Sequence, residues 1–296
     1  MTERSPIKLA GLLLENIKFA HTVFALPFAL MAMFLAAGRC PHWLVFVLVI
    51  ACMVAARSVA MTANRIHDVR IDGRNPRTAG RPMVTGRLSR RAAWGFLLAM
   101  SALFLLSCWG FWFAFANPWP TVLFGPAMIV LCGYPFAKRF TSLSHFWLGL
   151  ALSLGPVGAW VATSPATLGV EAMALSAAVL FWAAGFDILY ACQDVAVDRK
   201  EGLFAIPARL GVPAALWISR GCHLVAGALL VTVGRLDGHL GGLYWIGVAL
   251  ACGLLVVEQS LVRANDLSRV NVAFFAVNGA MSLLLAGLTI ADIVFR

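Results

Sequence analysis

Nine apolar runs, each close to the ~20 residues that a helix needs to cross a bilayer, govern what this chain can fold into. They fall at roughly 20–37, 43–63, 93–115, 119–136, 146–163, 171–192, 213–233, 243–262 and 271–293. Backbone N–H and C=O groups in hydrocarbon must be satisfied within the protein, so runs of this length form helices. With 61% hydrophobic and 12% charged residues, a soluble domain of this length has no means of hiding so much apolar surface. The expected fold is an all-α integral membrane protein, a bundle of about nine transmembrane helices with a central cavity opening at the cytoplasmic side. Residues 1–296 are expected to form a single polytopic domain.

Positive charge orients this bundle. Of the 23 Lys and Arg, Arg57 and Arg220 lie within spans and Arg39, Arg235 and Arg296 fall on one side; the remaining 18 fall in the alternate connections and the N-terminus. By the positive-inside rule, that side and the N-terminus are cytoplasmic. The net charge of +10 reads as orientation and contact with anionic lipid, with a smaller share for anionic substrates, and not as nucleic-acid binding. No obligate protein partner is indicated.

The N-terminus lacks the profile of a cleavable signal, because Glu15, Asn16 and Lys18 interrupt it. Pro6 to Glu15 reads as a short amphipathic helix along the interface. Lys18 then reads as a headgroup anchor, and His21 either as a satisfied bundle histidine or as a substrate contact. The seven cysteines are scattered singly with no CxxC pair, which excludes a disulfide framework and a zinc site and leaves packing residues. Trp43, Trp119 and Trp245, near span ends, fit interfacial belts.

The densest ionisable cluster is residues 63–86, ANRIHDVRIDGRNPRTAGRPMVTG. If the second span continues as a helix, Asn64, Asp68 and Asp72 at i, i+4 and i+8 share one face. Pro76 and Pro82 then stop the helix, and a loop carrying Arg74, Arg77 and Arg81 folds over that face. A second stripe, Asp187, Asp194 and Asp198, follows from FDILYACQDVAVD. Tyr134, Lys138 and Arg139 end the fourth span at the same mouth, as site residues or as a stop-transfer anchor. Arg87, Arg90 and Arg91 read as a solvated positive-inside loop. Arg57 lies seven residues before Asn64, on the same face and deeper; it is a structural ion pair, a snorkelling side chain or an anion anchor inside a cavity. The last three spans read as scaffold and substrate wall, with Glu258 and Asp266 as interfacial ends.

Five aspartates and one asparagine at a water-facing mouth suit a hard divalent cation, and Mg²⁺ in particular is held by a few carboxylates plus waters and substrate phosphates. A diphosphate approaching bare carboxylates is repelled unless the metal bridges them and arginines neutralise the rest. The arrangement therefore suits ionisation of a lipid diphosphate, with apolar walls shielding the resulting cation.

These motifs resemble those of UbiA-type intramembrane aromatic prenyltransferases. Asn64, Asp68 and Asp72 match the NDxxDxxxD motif, and RTAGRP at 77–82 its Arg-Thr-x-x-Arg-Pro continuation. Asp194 and Asp198 match the DxxxD motif, and Asp187 with Tyr190 the upstream YDxxYA element. Arg65 stands where the pattern has aspartate, Phe186 replaces tyrosine, and the acidic run after Asp198 is shorter. The forms NRxxDxxID…NPRTAGR and QDxxxDRxEGLxxIPARxG resemble the branch of bacterial quinone synthesis, including polyprenyltransferases of the alternative menaquinone route.

The resemblance implies Mg²⁺-dependent transfer of a polyprenyl group from its diphosphate to a ring carbon of an aromatic carboxylate, of 4-hydroxybenzoate type or a naphthoate, in respiratory quinone biosynthesis. It implies a catalytic set of Asp68, Asp72, Asp187, Asp194 and Asp198, with two Mg²⁺ on Asn64, Asp68, Asp72, Asp194 and Asp198. Arg77, Arg81, Lys138 and Arg139 are assigned to the diphosphate; Arg57, His21 and Tyr190 to the aromatic acid. An ion-coupled transporter is the reading from another class, and it expects its carboxylates near the midplane rather than at one mouth. A CDP-alcohol phosphotransferase requires an Asp-Gly-x-x-Ala-Arg pattern that the sequence lacks.

Overall fold

The computed structural model describes residues 6–17 and 24–296. Among these, every named element is helical: α1 (Pro6–Ile17), α2 (Leu26–Ala37), α3 (Trp43–Arg74), α4 (Arg90–Phe115), α5 (Trp119–Ala137), α6 (Ser144–Thr163), α7 (Val170–Ala191), α8 (Val195–Lys200), α9 (Ile206–Leu210), α10 (Val212–Leu236), α11 (Gly242–Leu261) and α12 (Val270–Val294). Eight are long and apolar enough to cross a membrane, α7 running on through α8. The run expected at 20–37 corresponds to α2, whose 12 residues span only about 18 Å at 1.5 Å per residue. The chain is thus a multi-span membrane protein with eight such helices among the described residues and one short apolar helix inserted among them.

Local chemistry sets the ends of these helices. The Ser89 hydroxyl accepts from the Ala92 N–H at 3.2 Å and His42 Nδ1 from the Leu44 N–H at 3.2 Å, capping α4 and α3. Proline occupies the first turn of α2, α5, α9 and α10, where its missing N–H costs nothing. Gly38, at φ 60°, closes α2 by donating to the Phe34 and Leu35 carbonyls.

A helix apolar on every side belongs in an interior, and α2 obeys: Phe28, Met31, Ala32 and Met33 are buried against Trp182, Leu175 and Leu285 in one core. Lipid offers helices no hydrophobic incentive to associate, so close packing of small residues matters more. A Cβ on Gly149 of α6 would run into the Leu180 carbonyl of α7, and one on Gly185 of α7 would strike the His223 ring of α10. Outside, Phe113, Ile129 and Leu224 are among the most exposed side chains, as a lipid-facing surface requires.

Glu258 corrects the expectation of an interfacial end. It lies close to the end of α11 but faces inward, fully buried, and its Oε1 accepts from Asn278 Nδ2 at 2.8 Å. Asn278 Oδ1 in turn accepts from Trp182 Nε1 at 2.6 Å. Sequence position indicates depth but not azimuth, and here azimuth decides burial. Asp266 is exposed in the connection after α11, as expected.

Length positions the first acidic stripe. The 32 residues of α3 run about 48 Å, against ~30 Å of hydrocarbon, so its last turns project beyond the apolar layer. Counting from Trp43, Asn64 lies about 32 Å and Asp72 about 44 Å along the helix, whereas Arg57 lies about 21 Å along it.

Candidate active site

α3 continues unbroken to Arg74, so Asn64, Asp68 and Asp72 stack on one face. Asn64 Nδ2 donates to Asp68 Oδ2 at 3.1 Å. Asp68 is buried and receives two cations from the end of α5: Lys138 Nζ at 2.5 Å on Oδ2 and an Arg139 N–H at 3.0 Å on Oδ1. The loop after α3 folds back on its own side chains. Thr78 Oγ1 donates to the Asp72 carbonyl at 2.9 Å, and Asn75 Oδ1 accepts from the Arg77 N–H at 2.9 Å. That turn swings Arg81 onto buried Asp72 at 2.5 Å.

Arg77 reaches farther and ties the two stripes together. Its Nε and terminal N–H form a fork on Asp194, at 3.0 and 2.5 Å, and its other terminal N–H reaches Tyr190 Oη at 2.9 Å. Asn75 Nδ2 adds a bond to Asp194 Oδ1 at 2.7 Å. Two parallel charge-assisted bonds from a planar guanidinium are the strong form of such a pair. Burial by itself would lower the pKa of Arg77, but the hydrogen bond and charge of Asp194 outweigh it, helped by Tyr190 and Asp72, and hold the guanidinium above its ordinary value. A second tie, Arg74 to Glu201 at 2.8 Å, joins the ends of α3 and α8.

The second stripe is not one regular helix. α7 ends at Ala191 and a 3₁₀ turn, Cys192–Asp194, leads into α8. A 3₁₀ turn advances faster around the axis than an α turn, so the seven-and-four spacing does not by itself place the three aspartates in one line. All three nevertheless reach the same cavity, of about 290 Å³, which is also lined by Asn64, Asp68 and Asp72. Asp187 sits beside His145, whose Nδ1 lies 2.7 Å from Asp187 Oδ2.

This polar cavity adjoins an apolar one of about 430 Å³ between α3, α4, α5 and α6. The two share Arg57, Met61, Tyr134, Leu148 and Leu152. Arg57 therefore stands at the junction, and its Nε is buried with no hydrogen-bond partner. The reading of Arg57 as a structural ion pair finds no partner among the described residues. His21 and Lys18 lie outside the described residues. Arg87, expected as a solvated loop residue, is exposed and pairs with Glu15 of α1 at 2.7 Å.

Three contributions went unread in the sequence. His145 opens α6 seven residues after Lys138, a polar residue at the start of an apolar run that could have drawn attention. Asn75 ends α3, accepts from the Arg77 N–H and also binds Asp194. Phe274 and Phe275 sit in a π-helical segment, Ala273–Val277, and pack against Phe24, Phe186 and Tyr190, with the Phe274 and Tyr190 centroids 4.1 Å apart. Such local widening of a helix is common near functional sites and carries no periodic signature.

The donor set fits Mg²⁺ bound together with a phosphate ligand better than a bare ion. It is all oxygen, yet among the described residues no three His, Cys, Asp or Glu converge to hold an ion unaided. Asp68, Asp72 and Asp194 each carry a basic partner instead. Mg²⁺ seldom relies on a complete protein cage and commonly uses one or two carboxylates with waters and substrate phosphates.

Residues 25–283 match the UbiA prenyltransferase family. Among the most similar relatives, proteins named 4-hydroxybenzoate octaprenyltransferase from Nitrosomonas eutropha and Azoarcus are each 30% identical, over 90% of both chains and 98% of both chains respectively. The one from Cupriavidus necator is 32% identical over 88% of this chain and 89% of its own. Among solved structures, the apo form of a UbiA homologue from Aeropyrum pernix K1 superposes with a TM-score of 0.82 at 32% identity, covering 93% of this chain and 98% of that one. A homologue from Archaeoglobus fulgidus, solved with DMAPP and Mg²⁺, shares the fold at a TM-score of 0.71 and 21% identity, over 95% of this chain and 98% of its own.

Proposed function

We propose, for a chain that belongs to the UbiA prenyltransferase family and is a prenyltransferase, that it transfers a polyprenyl group from polyprenyl diphosphate to a ring carbon of a 4-hydroxybenzoate-type acid. The setting is respiratory quinone biosynthesis in a bacterial inner membrane, with the N-terminus cytoplasmic. The observation that carries the reading is the adjacency of two cavities, one with acid and base paired, the other apolar, with partnerless Arg57 Nε at their junction. The names borne by the relatives support the acceptor class.

Each residue then has a task that its chemistry suits. Arg77, Arg81, Lys138 and Arg139, now resting on carboxylates, bind the diphosphate oxygens, and Tyr190 orients Arg77. Asn64, Asp68, Asp72, Asp194 and Asp198 are the oxygen donors for Mg²⁺, which neutralises charge on the leaving diphosphate when bound. The polyprenyl tail runs into the apolar cavity beside Phe104, Phe124 and Leu131. Arg57 holds the carboxylate of the acid about 10 Å below Asn64, which brings the ring to the allylic carbon. The allylic C–O bond breaks, a ring C–C bond forms, and the proton displaced from that ring carbon passes to Asp187. Walls of Leu148, Leu152, Phe186 and Phe274 keep water from the allylic cation.

A transporter would place its working carboxylates near the midplane, and the length of α3 puts this stripe beyond the hydrocarbon layer instead. The test offers purified protein, Mg²⁺ and octaprenyl diphosphate a panel of hydroxybenzoate and naphthoate acids, with mass spectrometry of the products. Prenylated 4-hydroxybenzoate is the expected product. Exclusive prenylation of a naphthoate would overturn the acceptor, and no prenylated product from any acid would overturn the reaction.

A further inference from the structure

His145 is the buried titratable side chain nearest the proposed chemistry that the reaction above leaves without a task. It lies in the first turn of α6, 3% exposed, in the wall of the polar cavity. Its two ring nitrogens face different groups: Nδ1 is 2.7 Å from Asp187 Oδ2, and Nε2 is 3.2 Å from the backbone nitrogen of Ile206. A backbone N–H can only donate, so Nε2 presents its lone pair there. The ring proton then sits on Nδ1 and points at Asp187, and the tautomer follows from one backbone amide.

Ile206 is fixed in turn. It begins α9, at the end of a strap that leaves α8 with the Leu203 N–H on the Asp198 carbonyl at 2.8 Å. The strap then crosses α5 with the Phe204 N–H on the Lys138 carbonyl at 2.7 Å. His145 thus links α6, α7 and the segment that follows the second acidic motif. With Oδ2 occupied by His145, Asp187 turns its other oxygen to the cavity, where no partner takes it up among the described residues.

We propose that His145 is a positioning residue for proton removal: Nδ1–H holds one oxygen of Asp187 so that the other faces the ring carbon being substituted. This rests on the reading of Asp187 as proton acceptor. The step balances, since the ring C–H electron pair returns to the aromatic system and the proton ends on Asp187 Oδ1. Arg57 and Tyr134 line the same cavity from α3 and α5, but neither pairs with Asp187, so its orientation depends on His145.

The experiment compares His145→Leu, His145→Asn and His145→Gln with Asp187→Asn, using acceptor deuterated at the substituted ring carbon. Leu removes the hydrogen bond, Asn is too short to span both partners, and Gln can donate to Asp187 while accepting from Ile206. Misplacing a base by about an ångström costs roughly 10- to 100-fold, so H145L and H145N should lose that much kcat with the polyprenyl diphosphate KM within about twofold. Both should show a ring-deuterium isotope effect larger than the parent protein's, because proton loss becomes rate-limiting. H145Q should restore kcat to within about fivefold and return the isotope effect to the parent value. Unchanged kcat in H145L or H145N, or equal loss in all three variants with both KM values raised, would overturn the positioning role. Full turnover in D187N would remove the Asp187 reading itself; an inactive D187N beside a fully active H145L would overturn only the part assigned to His145.

Discussion

Arg57→Lys separates the two substrates. The side chain emerges from α3 about 21 Å from Trp43 and enters the junction of two cavities, with a buried Nε that has no protein partner. An acid carboxylate there gains two parallel bonds from the guanidinium, whereas a lysine ammonium offers a point charge on a flexible stem. Losing one bond to a charged group costs about 1.5–3 kcal/mol, which is about 10- to 150-fold in the acceptor's KM. The diphosphate, bound about 10 Å away by other cations, should keep its KM within about twofold. Steady-state assays that vary each substrate in turn check this. An acceptor lacking the carboxylate sharpens the test: phenol should be turned over equally poorly by the parent and R57K. Equal KM increases for both substrates, or a difference between the two enzymes that persists with phenol, would refute the assignment.

Asp68→Ala, Asp72→Ala, Asp194→Ala and Asp198→Ala should each lower turnover by about 10²-fold or more with the helical circular-dichroism signal retained, and excess EDTA should abolish product in the parent; full activity in two of these variants, or in EDTA, refutes the metal assignment. Cysteines introduced at Arg77, Lys138 and Arg209 should label from the cytoplasm and one at Gly238, exposed in the connection after α10, from outside; Arg77 and Lys138 on opposite faces would contradict their shared contact with the cavity. Gly149→Val should lower thermal stability by about 1–3 kcal/mol, read as a shift in unfolding temperature in detergent, because the branched side chain meets the Leu180 carbonyl where backbone has little freedom to give; an unchanged transition would show that α6 and α7 separate readily.

What the sequence made legible was whatever repeats along one helix. The i, i+4, i+8 spacing of Asn64, Asp68 and Asp72 needs only a continuous α3, and α3 is continuous. Span positions and the mouth shared by Lys138, Arg139 and the acidic residues follow from apolar length and alternating charge. What stayed hidden depends on rotation or on irregular backbone. Glu258 sits at a predictable depth but its inward azimuth comes from α12 packing beside it. The bond from Asn75 to Asp194 requires two segments far apart in sequence to meet. The π-helical segment that turns Phe274 and Phe275 toward Tyr190 breaks the period on which the reading depends. His145 is legible as a polar start to an apolar run, but its tautomer rests on the Ile206 amide, which no spacing reveals.

The mouth itself explains why a divalent cation belongs with the substrate. The polar cavity is lined by five carboxylates, Asp68, Asp72, Asp187, Asp194 and Asp198, and by five cations, Arg57, Arg65, Arg77, Arg81 and Lys138. Formally these cancel, and several of them are paired at 2.5 Å. Arg65 contributes to that balance in a specific way: it stands where the motif has an acid, donating to the Asn16 carbonyl and to Asn64 Oδ1 at 3.1 Å each. An aspartate there would leave the lining with two more units of negative charge. A diphosphate entering a lining of no net charge finds good hydrogen-bond donors but no field strong enough to strip it of water, because Arg77, Arg81 and Lys138 are already committed to carboxylates. On the proposed function, Asp68, Asp72 and Asp194 would hold Mg²⁺, whose two positive charges would offset those of the diphosphate, and Lys138, Arg81 and Arg77 would then be free for the phosphate oxygens. The pairs that join α3, α5 and the second acidic segment would thus be the ones to exchange partners when the diphosphate binds.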